Sequence, residues 1–162
     1  MTDRDPEAGI YLHCTAMSNG VAAAASETVM KAVDDTPNSK WCSFWPKDGS
    51  NLWIEFDFPR PIAISGFSFT SANDNDWRDP GKWTFEAFSI ENSSKHAHEQ
   101  LFEVGPGYFE ERFLKKDFKL SQRVITKRIR FTFFKDFEGY VNNDHYDTPT
   151  FITQLSDICF NV

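Results

Sequence analysis

The chain has 162 residues, the size of one ordinary domain, and 16 % of them are aromatic, with 17 Phe and 5 Trp. Its formal net charge is -7, which sets the whole chain against a phosphate backbone and excludes nucleic acid as the expected partner. No stretch approaches the roughly 20 apolar residues needed to span a bilayer, so no membrane span is expected.

Residues 1–9, acidic and polar, read as a disordered lead, and 10–162 as one domain. No signal-peptide core precedes it, because the small apolar run at 21–25 is too short. The chain as given therefore reads as cytoplasmic, and as extracellular if it is a fragment of a larger protein. Residues 10–17 offer a first strand, and 26–33 one helical turn with Ser26 as its N-cap.

From residue 52 the period becomes two. Leu52, Ile54, Phe56 and Phe58 share one face while Glu55 and Asp57 take the other, the pattern of a half-buried strand. Pro59 and Pro61 are expected to stop it, since proline cannot donate to a ladder. Residues 64–71, 82–90, 101–104, 112–118, 128–134 and 151–160 complete seven or eight predicted strands. Ile54, Phe56, Phe67, Phe69, Phe85, Phe131, Phe133 and Ile158 are the predicted core. Many short strands joined by turn-rich segments indicate an all-β sandwich or jelly roll.

Three segments, 42–51, 72–81 and 135–150, exceed what a hairpin needs and are rich in aromatic, Asn and Asp residues. Loops positioned by a rigid scaffold are where binding residues concentrate. Cys14, Cys42 and Cys159 form no C-x-x-C pair, which argues against a zinc or redox motif. Free thiols are expected, with a bridge between Cys14 and Cys159 as the rival reading. Basic clusters at Lys115 and Lys116, and at Lys127, Arg128 and Arg130, read as solvent faces of strands.

Taken in order, AVDDTPNSKW at 32–41, WIEFDF at 53–58, PIAISGF at 61–67, SAND at 71–74, RDPGKW at 78–83 and ITQLSDI at 152–158 resemble motifs of discoidin-like domains, also called coagulation-factor type C or galactose-binding-like domains, which include the family 32 carbohydrate-binding modules. Residues 32–41, AVDDTPNSKW, resemble the opening A-x-D-G-x-x-x-T/S-x-W. Residues 53–58 (WIEFDF) and 61–67 (PIAISGF) are similar to the W-I-x-I-D-F and I-x-G-F strand pair. SAND at 71–74 and RDPGKW at 78–83 resemble a loop of part of that family, and ITQLSDI at 152–158 its closing strand. The resemblance spans about 26–160 and implies a β-sandwich jelly roll. Asp35 stands where the family carries glycine, and residues 87–94 replace its usual glycine-rich hairpin.

The resemblance implies a structural cation, Ca2+, near the opening motif. Its ligands would be carbonyls of Lys31, Thr36, Ser39 and Ser156, with side-chain oxygens of Asp34, Ser39 and Asp157. Hard cations take six to eight such oxygens. The competing reading has Asp34 and Ser39 capping backbone N–H groups in a turn. Asp157 is one methylene shorter than the family's usual Glu.

The resemblance also implies sugar binding through loops at one end, galactose-type or related glycans being the expected class. Trp45, Trp77, Arg78, Tyr140, Asn142, Asn143, His145 and Tyr146 are candidates by loop position and chemistry: rings stack on a pyranose, and amides and charges meet its hydroxyls. Trp45 equally fits a core plug, Arg78 a partner for Asp79, and His145 an ordinary loop histidine. The alternative function is an intracellular protein-interaction domain without sugar affinity. No H-E-x-x-H, G-x-S-x-G or phosphate loop occurs, so catalysis is not expected. His96 and His98, two apart and expected to face the same way on a strand, make a weak zinc pair. Asp74 and Asp76 make a weak glycosidase-like acid pair.

Overall fold

The computed structural model describes residues 14–36, 38–136 and 152–162. Nine strands run through them: β1 (Thr15–Ser18), β2 (Val21–Ala22), β3 (Trp41–Phe44), β4 (Leu52–Thr70), β5 (Pro80–Phe88), β6 (His96–Glu103), β7 (Lys115–Asp136), β8 (Ile152–Leu155) and β9 (Asp157–Asn161). All pairings are antiparallel. One sheet has the order β1-β4-β7-β5-β6 with β9 added to β4, and a second has the order β2-β3-β8. The expected all-β jelly roll is what the chain forms.

The prolines at 59 and 61 do not end a strand, contrary to expectation. β4 continues through them, and its ladder with β7 shifts register between Asp57 and Ile62. Residues 59–61 are exposed where the ladder skips, so the missing proline N–H groups cost no bond. The two predicted strands on either side of the prolines are therefore one bent strand. The predicted strands at 112–118 and 128–134 likewise join as β7. The ladder folds over on itself, and Phe67 from the second half of β4 stands 4.9 Å from Phe131 in the second half of β7.

The predicted strand at 151–160 divides at Ser156, whose N–H donates to the Thr70 carbonyl at 2.9 Å. β8 joins the small sheet and β9 the large one. β3 lies partly inside what reads as a loop from residue 42. The turn at 26–33 is a single 3-10 turn, Val29–Ala32, preceded by Thr28 with no side-chain cap; Ser26 is not its N-cap.

The core is aromatic. All eight predicted core residues are at most 1 % exposed. Phe67 touches Phe69, Phe85, Phe102, Phe118 and Phe131 with ring centroids 4.9–5.7 Å apart, and each such buried ring contributes about 1.5–3 kcal/mol. Gly66 is required here: a Cβ would lie 2.5 Å from the Phe118 carbonyl oxygen on β7.

None of the three cysteines is in a disulfide, and all are buried. Cys14 precedes β1 and Cys159 lies on β9, and these strands border opposite halves of β4. Burial pushes the Cys14 thiol up to about 11, the Asp57 charge adding to it, so this thiol stays protonated and unreactive at neutral pH. Arg128 and Arg130 are not a free basic patch, since both reach the buried Glu55.

Candidate functional site

Three connections leave the sandwich at one end. Phe44 and Leu52 bracket residues 45–51, and Thr70 and Pro80 bracket residues 71–79. Asp136, paired with Pro80, and Ile152, paired with Phe44, bracket the third. The candidates Tyr140, Asn142, Asn143, His145 and Tyr146 lie outside the described residues.

The 71–79 loop is fastened from two sides. Arg112 forks onto the fully buried Asp79, with Nη1 donating to Oδ1 at 3.0 Å and Nη2 to Oδ2 at 2.6 Å. The same Nη1 donates to the Asp74 carbonyl at 3.1 Å. Arg112, not Arg78, is therefore the partner of Asp79. Burial pushes the Asp79 carboxyl up to about 6, with the Arg112 hydrogen bond and charge pulling against it.

On the other side the buried Gln154 of β8 donates to the carbonyls of Asp74 at 2.8 Å and Asn75 at 3.1 Å. Lys40 donates to Asp74 Oδ1 at 2.8 Å and Gln154 Oε1 at 3.1 Å. That hydrogen bond holds the Asp74 carboxyl below its ordinary value. Asp74 is thus committed to Lys40, which does not suit one half of a catalytic acid pair.

At the tip, Asn75 Oδ1 accepts from the Trp77 N–H at 3.2 Å, opening a short 3-10 turn, Asp76–Arg78. This presents Trp77, 45 % exposed, on a loop whose base is held by an arginine, a lysine and an amide. Arg78 beside it is half-buried. Trp45 is half-buried, packs against the core, and its Nε1 donates to Thr153 Oγ1 at 2.8 Å. Asp74, Asn75, Asp76, Phe109, Glu110, Glu111 and Arg112 line an open hollow of about 340 Å³ next to the loop.

The opening motif gathers oxygens. Ser39 Oγ lies 2.8 and 2.9 Å from the two Asp34 carboxylate oxygens, 3.1 Å from the Thr36 carbonyl and 3.3 Å from the Lys31 carbonyl. One hydroxyl carries one proton, so at most one of these four contacts is an ordinary hydrogen bond from Ser39. Oxygens converging without protons between them suit a hard cation, and this donor set fits Ca2+. The Thr36 N–H donates to Asp34 Oδ1 at 3.1 Å, so the capping role exists alongside. Ser156 Oγ donates to the Ser39 carbonyl at 3.3 Å, bringing β8 and β9 to the cluster. Asp157 Oδ2 accepts from Cys159 Sγ at 3.2 Å. Asp35 adopts φ 55, the left-handed conformation that glycine takes freely and Asp tolerates.

Sequence reasoning missed Lys40, Arg112 and Gln154. The one signal available was a polar residue inside a strand that otherwise reads as buried, which Gln154 satisfies.

The chain matches no family model, and no curated protein matches it. Solved structures do. The family 32 carbohydrate-binding module of Clostridium perfringens NanJ, in complex with galactose, superposes with a TM-score of 0.62 at 12 % identity, covering 91 % of this chain and 92 % of that one. This chain has the fold of those modules and of F5/8 type C domains. An F5/8 type C domain from Bacteroides fragilis gives a TM-score of 0.67 at 12 % identity, over 91 % of this chain and 89 % of that one. A chitosan-binding module from Paenibacillus sp. IK-5, in complex with chitotriose, gives 0.61 at 13 %, over 94 % and 98 %. In this fold the end bearing Trp77 is the one from which the 45–51 and 71–79 connections leave. No helix of the described residues is long and apolar enough to cross a membrane.

Proposed function

We propose that this discoidin-like domain is a non-catalytic module that binds a glycan at the end of the sandwich carrying Trp77. The observation that carries this reading is an exposed indole on a loop braced by Arg112, Lys40 and Gln154. A flat ring on a braced loop offers an apolar face to a pyranose at low entropic cost. Asp76 and Arg78 flank it with groups that hydrogen-bond hydroxyls. The sugar-bound modules of the same fold support the ligand class, and galactose-type sugars are the first to test. A structural Ca2+ held by Asp34, Ser39 and the carbonyls of Lys31 and Thr36 belongs to this reading. It would fix the opening motif against β8 and take no part in ligand chemistry.

An open site binds a single sugar weakly, roughly millimolar or about −4 kcal/mol. A glycan array followed by titration of the best sugar tests this. Trp77→Ala is expected to abolish binding with the melting temperature unchanged, because the ring is exposed. Unchanged sugar binding in Trp77→Ala overturns the site. An array without hits, with specific protein capture instead, overturns the function in favour of a protein-interaction domain.

A further inference from the structure

A second cluster lies away from the loop end, on the β5–β6 hairpin. Glu86 of β5 and Glu99 of β6 are direct cross-strand partners. Beyond them the register shifts: Ala87 faces His98 and Phe88 faces His96, leaving Ala97 as the extra residue. A bulge of this kind re-aims the next side chain. It separates His96 from His98, which a regular strand would point the same way. His98 turns inward, its Nε2 3.1 Å from Gln100 Oε1 and its ring 6.4 Å from the buried Phe85. His96 turns to the outer face, with Nε2 3.5 Å from Glu86 Oε1 and Nδ1 3.2 Å from Glu99 Oε2.

Glu86 is prepared for a fixed role. It is 9 % exposed, and its Oε2 accepts from Thr132 Oγ1 at 2.6 Å, which leaves Oε1 towards His96. The Phe88 ring stands 4.9 Å from the imidazole and limits its rotation. The nearby Arg128 and Arg130 are bonded to Glu55. One atom from each of Glu86, His96 and Glu99 falls within a common 4.8 Å. Bonds of about 2.0–2.2 Å to a tetrahedral zinc place neighbouring donors roughly 3.4 Å apart. The Glu99 side chain, 53 % exposed, has room to close that gap.

We propose that Glu86, His96 and Glu99 form a site for a first-row divalent transition metal such as Zn2+. Each Glu gives one oxygen and His96 one nitrogen. An imidazole beside two carboxylates suits zinc and its neighbours better than calcium, which prefers an all-oxygen shell. Thr132 orients the Glu86 ligand as outer-shell partners do. Three protein donors leave a fourth position open to water or to a group on another molecule. The site shares no residue with the Asp34 cluster or the Trp77 loop, so it stands whether or not the glycan reading does.

The test is calorimetric titration of the untagged, chelator-stripped full chain with zinc chloride, with cobalt absorption reporting the geometry. One zinc per chain is expected. His96→Ala and Glu99→Gln should each weaken it at least about tenfold, and Thr132→Val by about tenfold. His98→Ala and Asp34→Ala should leave it unchanged, and circular dichroism should show every variant folded. Absence of uptake overturns the proposal. Uptake insensitive to His96→Ala also overturns it, since the ion would then sit elsewhere.

Discussion

Glu55 and Asp34 are both carboxylates on structured backbone, yet their surroundings are opposite. The Glu55 side chain is fully buried, bonded to Arg128 Nε and accepting from Arg130 Nε at 3.1 Å and Nη2 at 2.7 Å. Both guanidiniums lie over rings, Arg130 over Trp53 at 4.3 Å and Arg128 over Phe88 at 5.0 Å. The Asp34 side chain is 24 % exposed, accepts from the Ser39 hydroxyl and the Thr36 N–H, and among the described residues meets a cation at 4.0 Å, from Lys31. A carboxylate with its counter-charge built in locks strands together. One at a half-buried turn, beside the oxygens that converge on Ser39, is left open to a counter-charge from solution, which is the calcium reading proposed above.

The largest effect should come from breaking the locked member. Glu55→Ala strands two arginines against the sheet, and removing one partner of a buried pair costs about 3–5 kcal/mol. Urea unfolding should show that loss, while Asp34→Ala measured in chelator should lose under about 1 kcal/mol. Equal losses from the two variants would erase the distinction drawn between them.

Asp79 sharpens the comparison through pH. Its Arg112 fork resembles the Glu55 arrangement, but burial wins and raises the carboxyl from 3.8 to about 6. In the unfolded chain the group ionises near its ordinary value. Between pH 3.8 and about 6 the folded state therefore holds the extra proton, and stability falls as pH rises through that window. A shift of this size corresponds to about 3 kcal/mol. Asp79→Asn should remove this falling limb from a plot of unfolding free energy against pH. A limb that persists in the variant assigns it to another group.

What could be read beforehand follows range. Alternation at residues 52–58 places Ile54 and Phe56 inside because the pleat is a local property, and the structure agrees. β3 has Trp41, Cys42 and Ser43 all buried, so it shows no alternation and reads as loop. Nothing local says that β4 continues past Pro61, because that depends on its pairing with β7, from Ile62 with Thr126 to Thr70 with Lys115, 64 to 45 residues away. The site divides the same way. That Trp77 is an exposed ring on a connection is legible from its loop, while its role stands as a proposal. Arg112 lies 33 residues from Asp79, and Lys40 lies 114 from Gln154, so these braces come from topology. His96 and His98 mislead for a local reason, since one bulge residue reverses a face.

The smallest expected effect belongs to the unlocked member of the opening pair. If the oxygens around Ser39 take Ca2+ from solution, the ion binds the folded chain and not the unfolded one. Stability then rises with the logarithm of calcium concentration, reaching about 2.7 kcal/mol at 100 times the dissociation constant. Differential scanning calorimetry in calcium and in chelator should differ accordingly. Asp34→Ala should abolish the difference by removing the charge, and Ser39→Ala should reduce it by removing one neutral donor. Glu55→Gln should keep the calcium shift while lowering both melting temperatures, because its defect lies in a lock that calcium does not touch. An identical melting temperature in calcium and chelator would mean that the oxygens at Ser39 are reconciled by Thr36 and Ser156 alone. Asp34 would then be a turn cap, and both carboxylates would be structural.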